Sequence, residues 1–508
     1  MPTHPLPGAA DVSPGQMKSF SVAGADVLVC NVDGRRHALH AKCTHYGAPL
    51  EKGALDGHRI VCPWHHACFD ARDGRHLEAP GCNALRHYPL TERGGVFHVE
   101  LPDDIGDGQT LNPMSTGGHR DPDAAPYVIV GGGAAGQRCS EGLRQAGYEG
   151  PIVLLSADAQ LPYDRTQLSK GFLGGGKQAD DLPLRDGDFY RAHDIDVRLA
   201  TAVERVDHET HTLHLKGGET LTYARLCLAT GGRPNVPPID NVDAAGVHTL
   251  RSLEDAKALK DSMADAKTAV VLGASFIGME AAGVLKTQGT DVTVVAPEET
   301  PFGKTLGQRV GKAVQSWHEE NGVTFRLGRK AEAFRTDGKG AVSAVVLDDG
   351  SEVPAHLVVL GIGVQPNTGL LPALASEDGG FDLDAHGYLG HDIWCAGDIA
   401  RVPQPPLGEA TRIEHWRVAQ QQGLNAGYNM AGKTREVTSV PYFWTAHWGR
   451  QLRYVGHHGP EADVRYEGDV EGGDFLAFYE EDGRPVAVLG VGRDKRVAEL
   501  QEELFMPA

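Results

Sequence analysis

The hydrophobic rhythm of this chain changes twice along its length. From about residue 17 to 101, apolar residues come in short runs between turns, as at Asp26–Asn31 and Gly95–Leu101, which predicts an all-β module. At Tyr127–Val130 a continuous apolar run meets clustered glycines and then a helical stretch, the pattern of a buried strand feeding a helix. A second unit of this kind begins at Thr268, with a following strand at Val292–Val295. Past about 435 the short-run pattern returns. Phe475–Tyr479 and Pro485–Val491 flank Asp482-Gly483 and predict a hairpin. Between the first two regions, residues 106–125 are rich in Asp, Gly and Pro and poor in apolar residues, and read as a linker.

The glycines give the two strand–helix units a chemistry. Gly131, Gly133 and Gly136 form Gly-x-Gly-x-x-Gly after a strand and before a helix, where a dinucleotide pyrophosphate sits against the helix N-terminus. Asp158, 22 residues beyond Gly136, stands where an acidic ribose partner belongs; an exposed loop acid is the other reading. The second unit has Gly273, Ser275 and Gly278, with serine replacing the middle glycine. After its next strand come Glu298 and Glu299 and no nearer base than Lys304, which favours NADH over NADPH. Gly397-Asp398 ends an apolar strand from Ile393.

The 508 residues are too many for one core. No run of 18 apolar residues occurs, so no membrane span is expected, and Met1–Gly15 lacks a basic-then-apolar leader, which makes the cytoplasm the default location. A net charge of −20 disfavours nucleic acid as a partner. Eight cysteines in so long a chain do not suggest a disulfide scaffold. Six of them, Cys30, Cys68, Cys82, Cys139, Cys227 and Cys395, read as small buried hydrophobes.

The other two lie in the most specific motif. Cys43-Thr44-His45 and Cys62-Pro63-Trp64-His65 are separated by sixteen residues, and each loop offers one thiolate and one imidazole. A Rieske [2Fe–2S] centre needs this set, with cysteines on one iron and histidines on the other. Zinc also accepts Cys₂His₂, although its sites usually pair like with like along the chain.

Together these motifs resemble FAD-dependent pyridine nucleotide oxidoreductases of the ferredoxin-reductase and apoptosis-inducing-factor-like type, with a Rieske module fused at the N-terminus. Further segments carry the likeness: Pro162-Tyr163-Asp164-Arg165 through Lys170, Thr230-Gly231-Gly232-Arg233-Pro234, Gly361 through Asn367, Glu414-His415-Trp416 and Tyr442-Phe443-Trp444. The resemblance implies a multidomain fold: a Rieske domain over 1–105, the linker at 106–125, and two Rossmann-like α/β domains of the glutathione-reductase-like type. FAD would bind in 126–246 and 367–432, NAD in 247–366, and 433–508 would form an α+β interface domain. It implies hydride transfer from NADH to FAD, then electrons through the cluster to an acceptor protein such as an oxygenase or another redox protein. Arg165, Thr230, Gly231, Gly397 and Asp398 would hold FAD. Lys170 would lie by the flavin, paired with Glu280, and Trp416 and Trp444 would flank its ring.

The departures from the pattern are informative. His66 stands where Rieske loops usually carry glycine and reads as a surface histidine. Ala48 and Trp64 replace the loop disulfide of high-potential relatives, and Ala67 and Phe69 replace hydroxyl donors to the cluster. These losses predict a potential at the low end of the Rieske range, roughly −150 mV. No cysteine occurs between 140 and 226, so thiol chemistry at the flavin is not expected. A redox-switched binding protein is the competing function, and both a monomer and a homodimer are compatible with either reading.

Overall fold

The computed structural model describes residues 1–118, 121, 124–403 and 408–506. The N-terminal region is all β. One antiparallel sheet orders His87–Tyr88, Arg35–His40, Ala25–Val32 and Met17–Val22; a smaller one joins Thr3–Leu6, Val96–Glu100 and Leu90–Arg93. A third runs Ala54–Asp56, Arg59–Val61, Cys68–Asp70 and His76–Glu78. Leu28, Leu39, Leu50, Ile60 and Phe69 pack behind the two cysteine loops as one core.

The stretch expected as a linker is anchored in its first half. Gln109–Thr110 pairs with Ala84–Leu85, and the Asn112 side chain bonds the His76 backbone in both directions at 3.1 Å. The Ser115 amide then donates to the Arg144 carbonyl at 2.9 Å, in the next domain. Polar composition without apolar periodicity misled here, because backbone and amide bonds rather than burial fix this segment.

The first α/β unit is a six-stranded sheet ordered Ile195–Arg198, Ile152–Leu155, Tyr127–Val130, Arg225–Leu228, Ile393–Cys395 and Tyr388–Gly390, parallel except for the last strand. The second is a parallel sheet of Val247–Thr249, Leu357–Leu360, Thr268–Leu272, Asp291–Ala296 and Thr324–Leu327. Each glycine motif lies at the carboxyl end of a central strand, where open α/β sheets bind ligands. In both units the backbones meet too closely for side chains: a Cβ on Gly136 would come within 1.9 Å of the Gly131 carbonyl oxygen, and one on Gly278 within 2.2 Å of that of Gly273. At Gly133 a Cβ would meet nothing within 4 Å, which explains why the matching Ser275 is tolerated.

The C-terminal region is a five-stranded antiparallel sheet, Tyr442–His447, Arg450–Gly456, Arg484–Val491, Asp474–Glu481 and Asp463–Asp469, followed by the helix Asp494–Phe505. The expected hairpin is present, with Asp482 and Gly483 both at positive φ (50° and 72°). Val497, Leu500 and Phe505 bury one face of the helix on this sheet. Ala498 packs with Ala54, Val61 and Cys68 of the N-terminal module, so the helix is shared between the two.

Candidate redox site

The two cysteine loops close in the same way. Cys43 N–H donates to the Ala48 carbonyl and Gly47 N–H to the Cys43 carbonyl, both at 2.9 Å. Cys62 N–H donates to the Ala67 carbonyl at 2.9 Å and His66 N–H to the Cys62 carbonyl at 3.2 Å. The fifth loop position is therefore Gly47 in one and His66 in the other, and both take positive φ, 74° and 56°. His66 keeps the left-handed conformation at some strain.

The expectation that His66 is a surface residue is wrong. It is fully buried, stacked on Tyr442 with ring centroids 4.1 Å apart and bonded to Gln501 at 2.8 Å. Burial pushes its pKa down to about 3, so it is a neutral packing residue between domains.

The loops bring the four expected ligands together two by two. The Cys43 and Cys62 thiols face each other in full burial, and the Nδ1 atoms of His45 and His65 approach to 3.1 Å. Among the described residues no three His, Cys, Asp or Glu side chains converge as a mononuclear site requires. Paired cysteines beside paired histidines fit a cluster of two irons with mixed ligands rather than one tetrahedral zinc. Burial pushes His45 down to about 4, leaving the imidazole neutral and free to ligate at neutral pH. Of the remaining cysteines, Cys82 is half-buried and the other five are buried.

A cavity of 260 Å³ opens beside this cluster site, lined by Lys170, Glu280, Trp416, Phe443 and Trp444. It shares Thr166, Arg251 and Trp416 with a second cavity of 200 Å³ that reaches Gly133, Arg165, Gly231, Gly397 and Asp398. It shares Ser275, Gly361 and Gly363 with a third of 310 Å³ that contains Gly273, Glu298 and Lys304. Two channels from the two glycine motifs thus meet at one point. That arrangement fits a flavin dinucleotide in one channel and a nicotinamide dinucleotide in the other.

Most of the expected binding residues border these channels, and several are tied to one another. Arg165 pairs with Asp158 at 2.6 Å and donates to the Arg251 carbonyl at 2.8 Å. Arg251 pairs with Asp398 at 2.6 Å. Thr230 Oγ donates to the Asn367 carbonyl at 2.7 Å, joining the two chain segments of the first α/β unit. Glu298 lies 3.6 Å from Lys304, which is 86% exposed, while Glu299 is exposed and does not line the cavity. Arg251 was not anticipated, since a lone arginine before a helix cap carries no motif.

At the meeting point Lys170 pairs with Glu280 at 2.7 Å. Glu280 is 6% exposed and also accepts from Ser169 at 2.5 Å and Thr445 at 2.7 Å. Behind Thr445 lie His447, at 3.1 Å, and then His318, at 3.2 Å, both buried. Trp444 reaches from the cavity to the second cysteine loop, its ring centroid 4.5 Å from that of His65.

The N-terminal module is held by buried charges. Arg417, 1% exposed, donates to the Ala79 carbonyl at 2.8 Å and pairs with Glu78 at 2.5 Å. Arg59 bridges Glu78 at 2.9 Å and Glu502 at 2.7 Å. The Tyr46 hydroxyl donates to Asp164.

Comparison with known proteins agrees with this architecture. The family model described as pyridine nucleotide-disulphide oxidoreductase matches residues 125–423, that of the Rieske [2Fe-2S] domain residues 3–89, and that of the reductase C-terminal domain residues 442–504. The chain belongs to the pyridine nucleotide-disulphide oxidoreductase family. It is 35% identical over 97% of its length, and 82% of the relative's, to apoptosis-inducing factor 3 of Mus musculus. It is 36% identical, over 73% of the chain and 92% of the relative, to the anthranilate 1,2-dioxygenase system ferredoxin–NAD(+) reductase component of Burkholderia cepacia. Among solved structures, a covalent putidaredoxin reductase–putidaredoxin complex matches with a TM-score of 0.71 and 30% identity, over 75% of this chain and 94% of that one. This family member is therefore an FAD-dependent NADH oxidoreductase with a Rieske cluster, passing electrons from NADH through FAD to the cluster and on to an acceptor protein. No described helix is long and apolar enough to cross a membrane.

Proposed function

We propose that this chain is the electron-supply component of an oxygenase-type system in which reductase and ferredoxin are one polypeptide. The carrying observation is the 4.5 Å contact between His65 and Trp444, which sets a cluster ligand against the wall of the cavity where the two channels meet. When bound there, FAD supplies the conversion of a two-electron hydride into single electrons. The protein supplies the rest. Gly131, Gly133, Gly136, Asp158, Arg165, Thr230, Gly231, Gly397 and Asp398 hold one dinucleotide; Gly273, Ser275, Gly278 and Glu298 hold the other. Lys170 presents a positive charge where negative charge develops, and Glu280, with Ser169 and Thr445, fixes its position. Trp416 and Trp444 wall the ring site and exclude water from it. Cys43, His45, Cys62 and His65 hold the cluster.

Relatives named as reductase components of dioxygenase systems support the choice of acceptor class. Six further cysteines, all without a disulfide, support a reducing compartment, the cytoplasm. The test is anaerobic NADH addition with flavin and cluster spectra followed together. Cluster reduction at a rate independent of protein concentration is expected, and an oxygenase-type acceptor should then reoxidise the cluster. A flavin that reduces and persists as a charge-transfer complex, with the cluster still oxidised, would favour the redox-switched binding protein instead.

A further inference from the structure

The two cluster loops are gripped differently from outside. The carbonyl of Trp64, between the ligands Cys62 and His65, accepts two hydrogen bonds from the C-terminal domain. One comes from the Tyr442 hydroxyl at 2.7 Å and the other from the Arg453 guanidinium. Arg453 is 3% exposed, and its far edge pairs with Asp494, the first residue of the C-terminal helix, at 2.7 and 3.1 Å. Tyr442 is fully buried and pressed against the His66 ring, which Gln501 of the same helix holds from behind. Within the loops, Ala48, Ala67 and Phe69 carry no side-chain donor.

This places a positive charge beside the cluster, from a different domain. Asp494 offsets part of that charge, but its side chain is 34% exposed against 3% for Arg453, so water screens the carboxylate more than the guanidinium. Reduction adds one electron to the cluster and breaks no bond. A fixed cation, together with two donors drawing on the carbonyl between two ligands, stabilises that added charge.

We propose that Tyr442 and Arg453 are positioning residues that raise the reduction potential of the cluster, so that the C-terminal domain of the reductase completes the cluster as an acceptor. The donors missing from the loops are thereby supplied across a domain interface, and the potential lies above the value the loops alone would set.

The test is a redox titration of the full-length protein carrying FAD and cluster, read by electron paramagnetic resonance of the reduced cluster and by flavin absorbance. Arg453→Met should shift the cluster's one-electron equilibrium toward oxidation at least tenfold, which is 59 mV. Arg453→Lys should recover most of that shift. Tyr442→Phe should move the midpoint the same way by at least twofold. The flavin midpoint should stay put in all three. An unchanged cluster midpoint in Arg453→Met with the mixed-ligand signal intact would overturn the proposal, as would flavin and cluster midpoints falling together. If Arg453→Met fails to retain the cluster, Tyr442→Phe decides: a wild-type midpoint there refutes the assignment.

Discussion

The ring centroids of His65 and Trp444 lie 4.5 Å apart with their planes at 56°, so the proposed cluster ligand packs on a wall of the proposed flavin cavity. Electron tunnelling weakens steeply with distance, and the other histidine of the two loops, His45, stands farther from Trp444, with 6.0 Å between ring centroids. Trp444→Leu should therefore slow cluster reduction at least tenfold more than it slows flavin reduction by NADH, which it also touches as a wall of the ring site. Stopped-flow absorbance separates the two phases. Equal slowing of both phases would mean that Trp444 acts through the flavin site alone and carries no electrons.

The Lys170–Glu280 pair makes a different prediction. Removing the ammonium takes away a charge that stabilises the negative product of hydride transfer. It also leaves Glu280 buried with only Ser169 and Thr445 as partners. Lys170→Ala should slow flavin reduction by about 10²-fold, the usual size for one such electrostatic contact. An unchanged rate would remove Lys170 from the site.

Glu298 is the residue to change for nicotinamide preference. It lines the third cavity, whereas Glu299 does not. Its partner Lys304 is 86% exposed, so the ion pair neutralises it weakly. NADH should be favoured over NADPH by about 1–3 kcal/mol in kcat/KM, and Glu298→Ala should erase most of that difference. Steady-state kinetics with both donors measures this, and equal preference in the wild type would count against it.

What could be read from the sequence was local. Two loops that each carry a cysteine and a histidine, two glycine turns after strands, and the Asp482-Gly483 hairpin each have their cause within a few residues of chain. What could not be read has its cause far away in the chain. His66 is buried because Gln501, 435 residues on, and Tyr442 close over it. Glu78 finds Arg417 339 residues away, and Glu280 finds Thr445 165 residues away. A histidine beside a surface loop and a threonine in a strand carry no pattern that announces such partners. The anchored part of the linker was hidden for another reason, since the bonds that hold it use backbone and amide groups that hydrophobic periodicity does not report.

Replacing a ligand should separate the two cofactors. His45→Ala removes one of the two imidazoles and should abolish the mixed-ligand electron paramagnetic resonance signal. FAD should stay bound, because the glycine cradle and Asp398 lie on a different sheet from the loops. The contact of Tyr46 with Asp164 gives the variant a second expected effect, a modest change in the flavin spectrum. A wild-type Rieske signal in His45→Ala would sink the ligand assignment.

The last prediction concerns acid. Burial pushes His318 and His447 down to about 3, and His415 down to about 4. For His447 the nearby Lys170 cation adds to the effect. The unfolded chain binds protons at these residues once the pH drops below the ordinary value of 6.5, and the folded chain refuses them. The sign follows: the folded state is unpenalised above that pH and loses stability as the pH falls toward 3–4. Each histidine contributes up to about 1.4 kcal/mol per pH unit. Two of the three, His318 and His447, lie behind Glu280, where the two α/β units and the C-terminal sheet meet, so the loss falls on the redox site itself. Urea unfolding between pH 7 and pH 5 should show a falling midpoint, and His447→Gln should flatten that slope by about one proton. A midpoint that stays flat across this window would mean that these histidines take up protons in the folded protein.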